Sequence, residues 1–226
     1  VKGNSRQRAG FDFGRGSMKR TAGRPSKEEQ QAISERLLDA ARTAFCRYGM
    51  VGASMDRIAA EAGVAKHTIY RRYPGKDALL DAVVESELRL IAIALSHSQD
   101  ALGPERSALD RLKAQAHYRF AHNMEPENIA FRAFLRAESA FSPELLRKLS
   151  LWDRTAVTPI MAAIREAQDA GSLKRDDPEV VCDILFSLVD GSERWWRWGG
   201  DGIAPRRDRT NFFESRWALF LRSCAE

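Results

Sequence analysis

Between Met55 and Leu80 the chain reads MDRIAAEAGVAKHTIYRRYPGKDALL, and this stretch restricts the fold more than any other. Ile58, Ala59 and Ala62 recur at helical spacing and make one small apolar face, and Gly63 stands where a helix end needs a left-handed residue. Val64 then returns to the core. In the second segment a step of about 100° per residue puts Lys66, His67, Tyr70 and Arg71 on one side and turns Ile69 toward the first helix. No carboxylate occurs from Val64 to Gly75. A face of two cations, an imidazole and a phenol matches a surface of phosphates and base edges, so the pair of helices reads as a helix-turn-helix.

The flanking residues complete a three-helix unit. Ser26-Lys27-Glu28-Glu29 is a capping box that starts a first helix, along which Ile33, Leu37, Ala41, Ala44, Phe45 and Tyr48 keep helical spacing until Gly49 closes it. Ser54 is placed to cap the second helix, with Asp56 in its first turn. A recognition helix of about nine residues is too short to stand alone in water, so Ile33, Leu37 and Phe45 must hold it by packing. Downstream, Tyr73-Pro74-Gly75-Lys76 gives an aromatic, a break and a new helix start. Over about fifty residues this pattern resembles the TetR family of bacterial transcriptional regulators. The resemblance is carried by Ile58, Ala59, Ala62, Gly63, Val64, Thr68, Tyr70, Tyr73, Lys76, Leu79 and Leu80. His67 departs from the small residue usual there, and Arg72 stands where the family often has an aromatic or a histidine.

Charge is concentrated at one end. Residues 1–27 carry eight Lys or Arg against Asp12, although the whole chain of 226 residues has a net charge of only +5. The polycation is therefore an arm, and its Gly, Ser and Arg content predicts disorder before Ser26. Two readings of the arm stand open. It tracks phosphate or a minor groove, with Arg24 nearest the ordered helix, or it is an extension without function in which Gly16-Ser17-Met18 marks a junction.

The chain shows no apolar run of membrane-spanning length and no signal-peptide pattern, which predicts a cytoplasmic protein. Cys46, Cys182 and Cys224 are odd in number and widely separated, which suggests small buried hydrophobes rather than disulfides or a zinc site; redox sensing at Cys224 is the alternative.

Beyond Lys76 the pattern is helical throughout. Leu79, Leu80, Val83, Val84, Leu88 and Ile91 predict a long helix, followed by a loop over 97–103 and a helix opened by Pro104 with Leu109, Leu112, Ala116 and Phe120. After a break at Asn123 to Pro126 comes a helix with Ile129, Ala130, Phe134 and Leu135. Ser142-Pro143-Glu144 starts the longest helix, running to Ala170 with Gly171 beyond it and Pro159 predicted to kink it. Asp177-Pro178-Glu179 starts a helix extending to about Trp198, and a last one spans Thr210 to Ser223. These two are more apolar than a small domain needs, which suggests a partner surface. In the resembling family the last two helices of each subunit form a four-helix bundle with their symmetry mates, so the resemblance implies a homodimer.

The expected fold is all-α with about nine helices: a basic arm over 1–25, a helix-turn-helix domain over 26–75, and a larger helical ligand-binding and dimerisation domain over 76–226. Lys66, His67, Tyr70 and Arg71 are expected to face bases; Thr68, Arg72 and Lys76 to bind phosphates, Lys76 with help from the amides of its helix; and Ser54 and Arg24 to touch DNA. An effector pocket is expected on the middle helices, where His117, Phe120, Phe131, Phe134, Glu138, Trp152 and Met161 mix aromatic walls with polar groups. The run Trp195-Trp196-Arg197-Trp198 is read as core and interface, with ligand stacking as the alternative.

Cofactors, metals and catalytic residues are not expected. His117 and His122 lie about 140° apart round a helix, and no Walker A loop, nucleophile elbow or HExxH occurs. The predicted function is a homodimeric transcriptional regulator that binds a palindromic operator in double-stranded DNA. It is read as a repressor released by a small-molecule effector whose identity the residues do not give. The alternatives are a regulator whose larger domain only dimerises or needs a corepressor, and a helical enzyme with an incidental helix-turn-helix.

Overall fold

The computed structural model describes residues 26–100, 106–189 and 209–226, so Arg24, the remainder of the arm and the tryptophan run lie outside the described residues. Those residues form nine helices: α1 (Lys27–Gly52), α2 (Met55–Glu61), α3 (Lys66–Arg72), α4 (Lys76–Asp100), α5 (Ala108–Asn123), α6 (Pro126–Ser139), α7 (Pro143–Asp169), α8 (Pro178–Val189) and α9 (Arg209–Cys224). Among the described residues no strand is present beyond a single bridge between Leu173 and Ala225, so the fold is all-α as expected.

Several boundaries sit where the capping chemistry places them. The Ser26 hydroxyl accepts from the Glu29 amide at 3.1 Å while the Ser26 amide donates to Glu29 Oε2 at 2.9 Å. Ser142 Oγ accepts from the Leu145 amide ahead of Pro143, and Asp177 Oδ1 accepts from the Glu179 amide at 2.9 Å. Gly63 has φ +67°; its amide donates to Ala60 O and that of Val64 to Ala59 O, the paired bonds of a Schellman turn. A Cβ at Gly63 would touch nothing, so glycine is needed there for backbone conformation alone.

Two expectations are corrected. Residues 97–100 continue α4 instead of opening a loop. The next helix starts at Ala108, not at Pro104, because Ser107 and Asp110 form a capping box that satisfies its first amides. The backbone of α7 stays helical through Pro159.

Two apolar cores hold the molecule. One gathers Leu112, Phe120, Ile160, Ile164, Leu185, Phe213 and Phe220 from α5, α7, α8 and α9. The other contains Leu37, Phe45, Ile58 and Ile69 of the first three helices, and it continues into Leu79, Leu80 and Val83 of α4, Phe131 and Phe134 of α6 and Leu145 of α7. The helix-turn-helix is thus built on the same packed interior as the larger domain, and position 76 is not a break in packing. Cys182 and Cys224 are buried, and burial pushes the Cys224 thiol up from its usual pKa, the opposite of an activated thiolate.

Candidate nucleic-acid interface and interior cleft

The reading helix is fixed by its one apolar side. Ile69 is fully buried, whereas Lys66, His67, Tyr70 and Arg71 are exposed and Thr68 and Arg72 half-buried. The exposed and half-buried positions of α3 thus follow the helical spacing. His67, Thr68, Arg71 and Arg72 line an open cleft of about 850 Å³ against the start of α1, with Lys27, Gln30, Gln31 and Ser34 on its other wall. Arg72 Nη2 donates to the Gln30 carbonyl at 3.3 Å, tying α3 to α1. Arg36 Nε donates to the carbonyl of buried Ala62 at 3.3 Å, at the C-cap of α2.

Asp56 has a larger part than its place in a helix first turn suggests. Its carboxylate meets Lys66 Nζ at 2.5 Å, and the hydrogen bonds and charge of Lys66, with a hydrogen bond from Tyr70, hold it below the usual carboxylate range. One acid on α2 so holds the ammonium of Lys66 on α3. Both members of the pair are exposed, so phosphate or a base edge competes for Lys66 on nearly equal terms. Sequence reasoning missed this pairing, whose members stand ten residues apart across a glycine turn.

Ser54 precedes α2 in extended conformation, but its side chain makes no capping bond and remains exposed. Lys76 is tied to the backbone of the preceding helix. Its ammonium donates to the carbonyls of Met50, Val51 and Ala53, where α1 ends, so in this structure its charge is spent on the backbone rather than presented to solvent.

The seven residues expected to make a pocket are dispersed. Phe120 is fully buried against Phe212 and Phe213, and exposed His117 packs edge-on to Phe213 at 4.8 Å. Met161 packs on the core of the larger domain, and Phe134 stacks on Phe45 at 5.8 Å. Glu138 Oε1 accepts from the Met50 amide at 2.9 Å, so it too grips the end of α1.

Only Phe131 and Trp152 of the seven reach an open cleft of about 190 Å³ lined by α1, α4, α5, α6 and α7. Its apolar wall includes Leu88, Ile91, Leu135 and Leu149; its polar wall includes Arg42, Arg119 and Arg132. Arg42 Nε lies 3.4 Å from Glu87, Arg119 Nη2 lies 3.8 Å from Asp153, and Arg132 Nη2 donates to the Asn123 carbonyl at 3.0 Å. Burial raises the Glu87 carboxyl above its usual value; burial and the charges of Arg42, Arg132 and Arg119 lower His122. These polar groups come from five helices and have no local sequence signature. Among the described residues no group of His, Cys, Asp and Glu is placed to hold a metal.

Comparison with known proteins decides the family. Residues 37–83 match the model of bacterial regulatory proteins of the tetR family, and residues 105–204 match the tetracyclin repressor-like C-terminal domain. The HTH-type transcriptional repressor SCO4008 of Streptomyces coelicolor is 31% identical over 163 residues, covering 71% of this chain and 77% of that protein. The chain belongs to the TetR family of bacterial transcriptional regulators.

Solved TetR-family folds superpose over most of its length. A regulator from Mesorhizobium loti assigned to the family aligns with a TM-score of 0.73 at 20% identity, covering 89% of this chain and all of the other. The flavonoid-responsive regulator FrrA aligns with a TM-score of 0.64 at 24% identity, covering 86% and 98% of the two chains. As a TetR-family member the protein is a DNA-binding transcriptional regulator. No helix among the described residues is long and apolar enough to cross a membrane.

Proposed function

We propose that this TetR-family protein is a homodimeric repressor that binds a palindromic operator and leaves it when a small molecule enters the cleft between α4, α5, α6 and α7. The exposed face of α3 supplies the readers, Lys66, His67, Tyr70 and Arg71, with Thr68, Arg72 and the Ser54 hydroxyl on phosphates. Arg24, in the adjoining arm, adds a phosphate or minor-groove contact. One such helix spans only a few base pairs, and two related by a dyad meet successive major-groove faces about 34 to 36 Å apart. The paired surface is the face shared by α8 and α9, which presents Val180, Ile184, Leu188 and Leu219. The likeness to a transcriptional repressor at 31% identity supports the negative sign of regulation.

The observation that carries ligand control is the shared use of α6. Asn128, Phe131, Arg132 and Leu135 of that helix line the cleft, and Glu138 farther along it holds the Met50 amide. Lys76, at the start of α4, grips the same end of α1 by its carbonyls. A ligand that moves α6 or α4 acts on α1 and thereby on the spacing of the two recognition helices. The protein then partitions between an operator-competent and an incompetent state, and the ligand shifts that equilibrium by its difference in affinity for the two.

The test is retention on mixed genomic DNA fragments at about 150 mM salt or above, where non-specific binding is weak, with sequencing of the bound fraction. Enriched palindromes with half-sites one helical turn apart are expected. Enrichment of lone half-sites, or no enrichment, would overturn the dimeric operator reading.

A further inference from the structure

α3 carries no carboxylate of its own, yet one stands against its first residue. Asp56, in the first turn of α2, meets Lys66 Nζ at 2.5 Å across the glycine turn. The two helices are not free to change that distance. Ile58 and Ala59 of α2 and Ile69 of α3 are fully buried in one core, and the bonds of the Gly63 and Val64 amides fix the turn between them. What stays adjustable is the lysine stem. The Lys66 side chain is 70% exposed, so its end is held by the carboxylate and not by packing. A lysine stem loses rotamer entropy when it is ordered, and DNA binding bears that loss unless another contact has ordered the stem first.

The ion pair also discriminates between acceptors. An ammonium has three donors, and the one given to Asp56 leaves the others for the O6 and N7 of a guanine. Those acceptors carry no net charge, so they join the bridged ammonium beside the carboxylate. A phosphate oxygen arriving at the same ammonium brings a full negative charge close to Asp56, and like charges about 4 Å apart cost roughly fivefold in binding even in water. Phosphate must meet that repulsion or break the bridge. With Lys66 at a base edge as proposed, on which this rests, we infer that Asp56 is a specificity-determining residue of the DNA interface. It acts as a positioning residue, holding Lys66 for a guanine and withholding it from phosphate.

The test is selection from randomised duplexes, together with salt titration of binding to a mixed-sequence duplex, using the full chain as wild type, Asp56→Ala, Lys66→Ala and the double variant. Wild type is expected to select a guanine that Lys66→Ala no longer selects. Asp56→Ala should lower that guanine preference about threefold or more. It should also tighten mixed-sequence binding about threefold or more at about 150 mM salt and steepen the salt slope by about 0.9, as Lys66 turns to a phosphate. In the Lys66→Ala background the same substitution should move neither preference nor slope. That cycle separates positioning from a bare charge near DNA and from support of α2. An Asp56 effect of equal size in both backgrounds would overturn the inference, as would a preference and slope unmoved by Asp56→Ala. Asp56→Asn takes the place of Asp56→Ala if the latter does not fold. If Lys66→Ala leaves the selected sequence unchanged, the base-facing placement of Lys66 fails and the role of Asp56 falls with it. An altered selection by Lys66→Ala beside an inert Asp56→Ala leaves that placement standing and removes only the role of Asp56.

Discussion

Arg71 and Lys76 are both cations of the DNA-binding half, yet their surroundings assign them opposite work. Arg71 is exposed on the reading face, so Arg71→Ala should cost about 1 to 3 kcal/mol of operator binding and relax base choice at its position. A binding selection from randomised duplexes reads that as a flatter preference at one base pair of each half-site. Lys76 donates to three carbonyls at the end of α1, and Lys76→Met removes those bonds. It should lower stability by about 1 to 3 kcal/mol and weaken binding to all sequences, leaving the salt dependence unchanged. A salt slope reduced by about 0.9 would mean instead that its ammonium meets a phosphate. His122 gives a residue-scale pH dependence. Burial and then three arginines hold its folded pKa below the usual value, so between the two values the unfolded chain binds the extra proton. Its contribution to stability is complete above about pH 6.5 and falls as pH drops through the folded value. Thermal melts of wild type and His122→Asn at pH 7.5 and 5.5 should show the acid loss reduced in the variant.

At the scale of elements the decisive joint is the end of α1. Gly49 has φ +65° and ψ −179°, a region essentially confined to glycine, and a Cβ there would lie 3.0 Å from the Glu138 oxygen that accepts from Met50. Gly49→Ala should therefore destabilise the protein by about 1 to 3 kcal/mol, measured by urea melts, and partly detach α6 from α1. Glu138→Ala removes the grip without backbone strain, and comparison of the two separates coupling from stability. If α6 transmits the signal, Glu138→Ala should retain ligand binding and blunt the ligand's effect on operator affinity. The sequence showed Gly49 as the end of a helix because a glycine after Tyr48 interrupts an apolar pattern that had run from Ile33. It also showed the starts at Ser26 and Ser142 and the turn at Gly63, all decided by neighbours a few residues away. What it hid was decided at long range. Glu138 finds Met50 eighty-eight residues away, and the cleft unites Arg42 with Trp152, so their side chains carry no mark of that use beforehand. Even the start of α5 was misplaced at Pro104, since proline is the louder signal and Ser107 with Asp110 the effective one.

For the molecule as a whole, the proposed dimer makes affinity depend on whether two reading helices are joined. The described parts of α8 and α9 bury Val181, Leu185, Phe213 and Phe220 inward, which completes the core of one subunit. Yet Val180 remains 53% and Leu219 42% exposed beside half-buried Ile184 and Leu188, with Asp183, Ser187 and Ser223 as the polar members of the same face. Large aliphatics gathered on one face of two neighbouring helices are what an isologous contact requires, because a dyad brings the patch against itself. Leu219→Glu, with its charge meeting the symmetry-related charge, should therefore yield a monomer without disturbing the core on the other side of α9. Light scattering after size exclusion should halve the mass, while circular dichroism keeps the helical signal. The reading face of α3 is untouched by this change, so binding to an isolated half-site should persist at wild-type strength. Affinity for the full palindrome should fall by about 10² to 10⁴, the effective-concentration gain of a linked second site. Loss of half-site binding as well would point to a damaged subunit, and a dimeric Leu219→Glu with full operator affinity would move the interface elsewhere on the molecule.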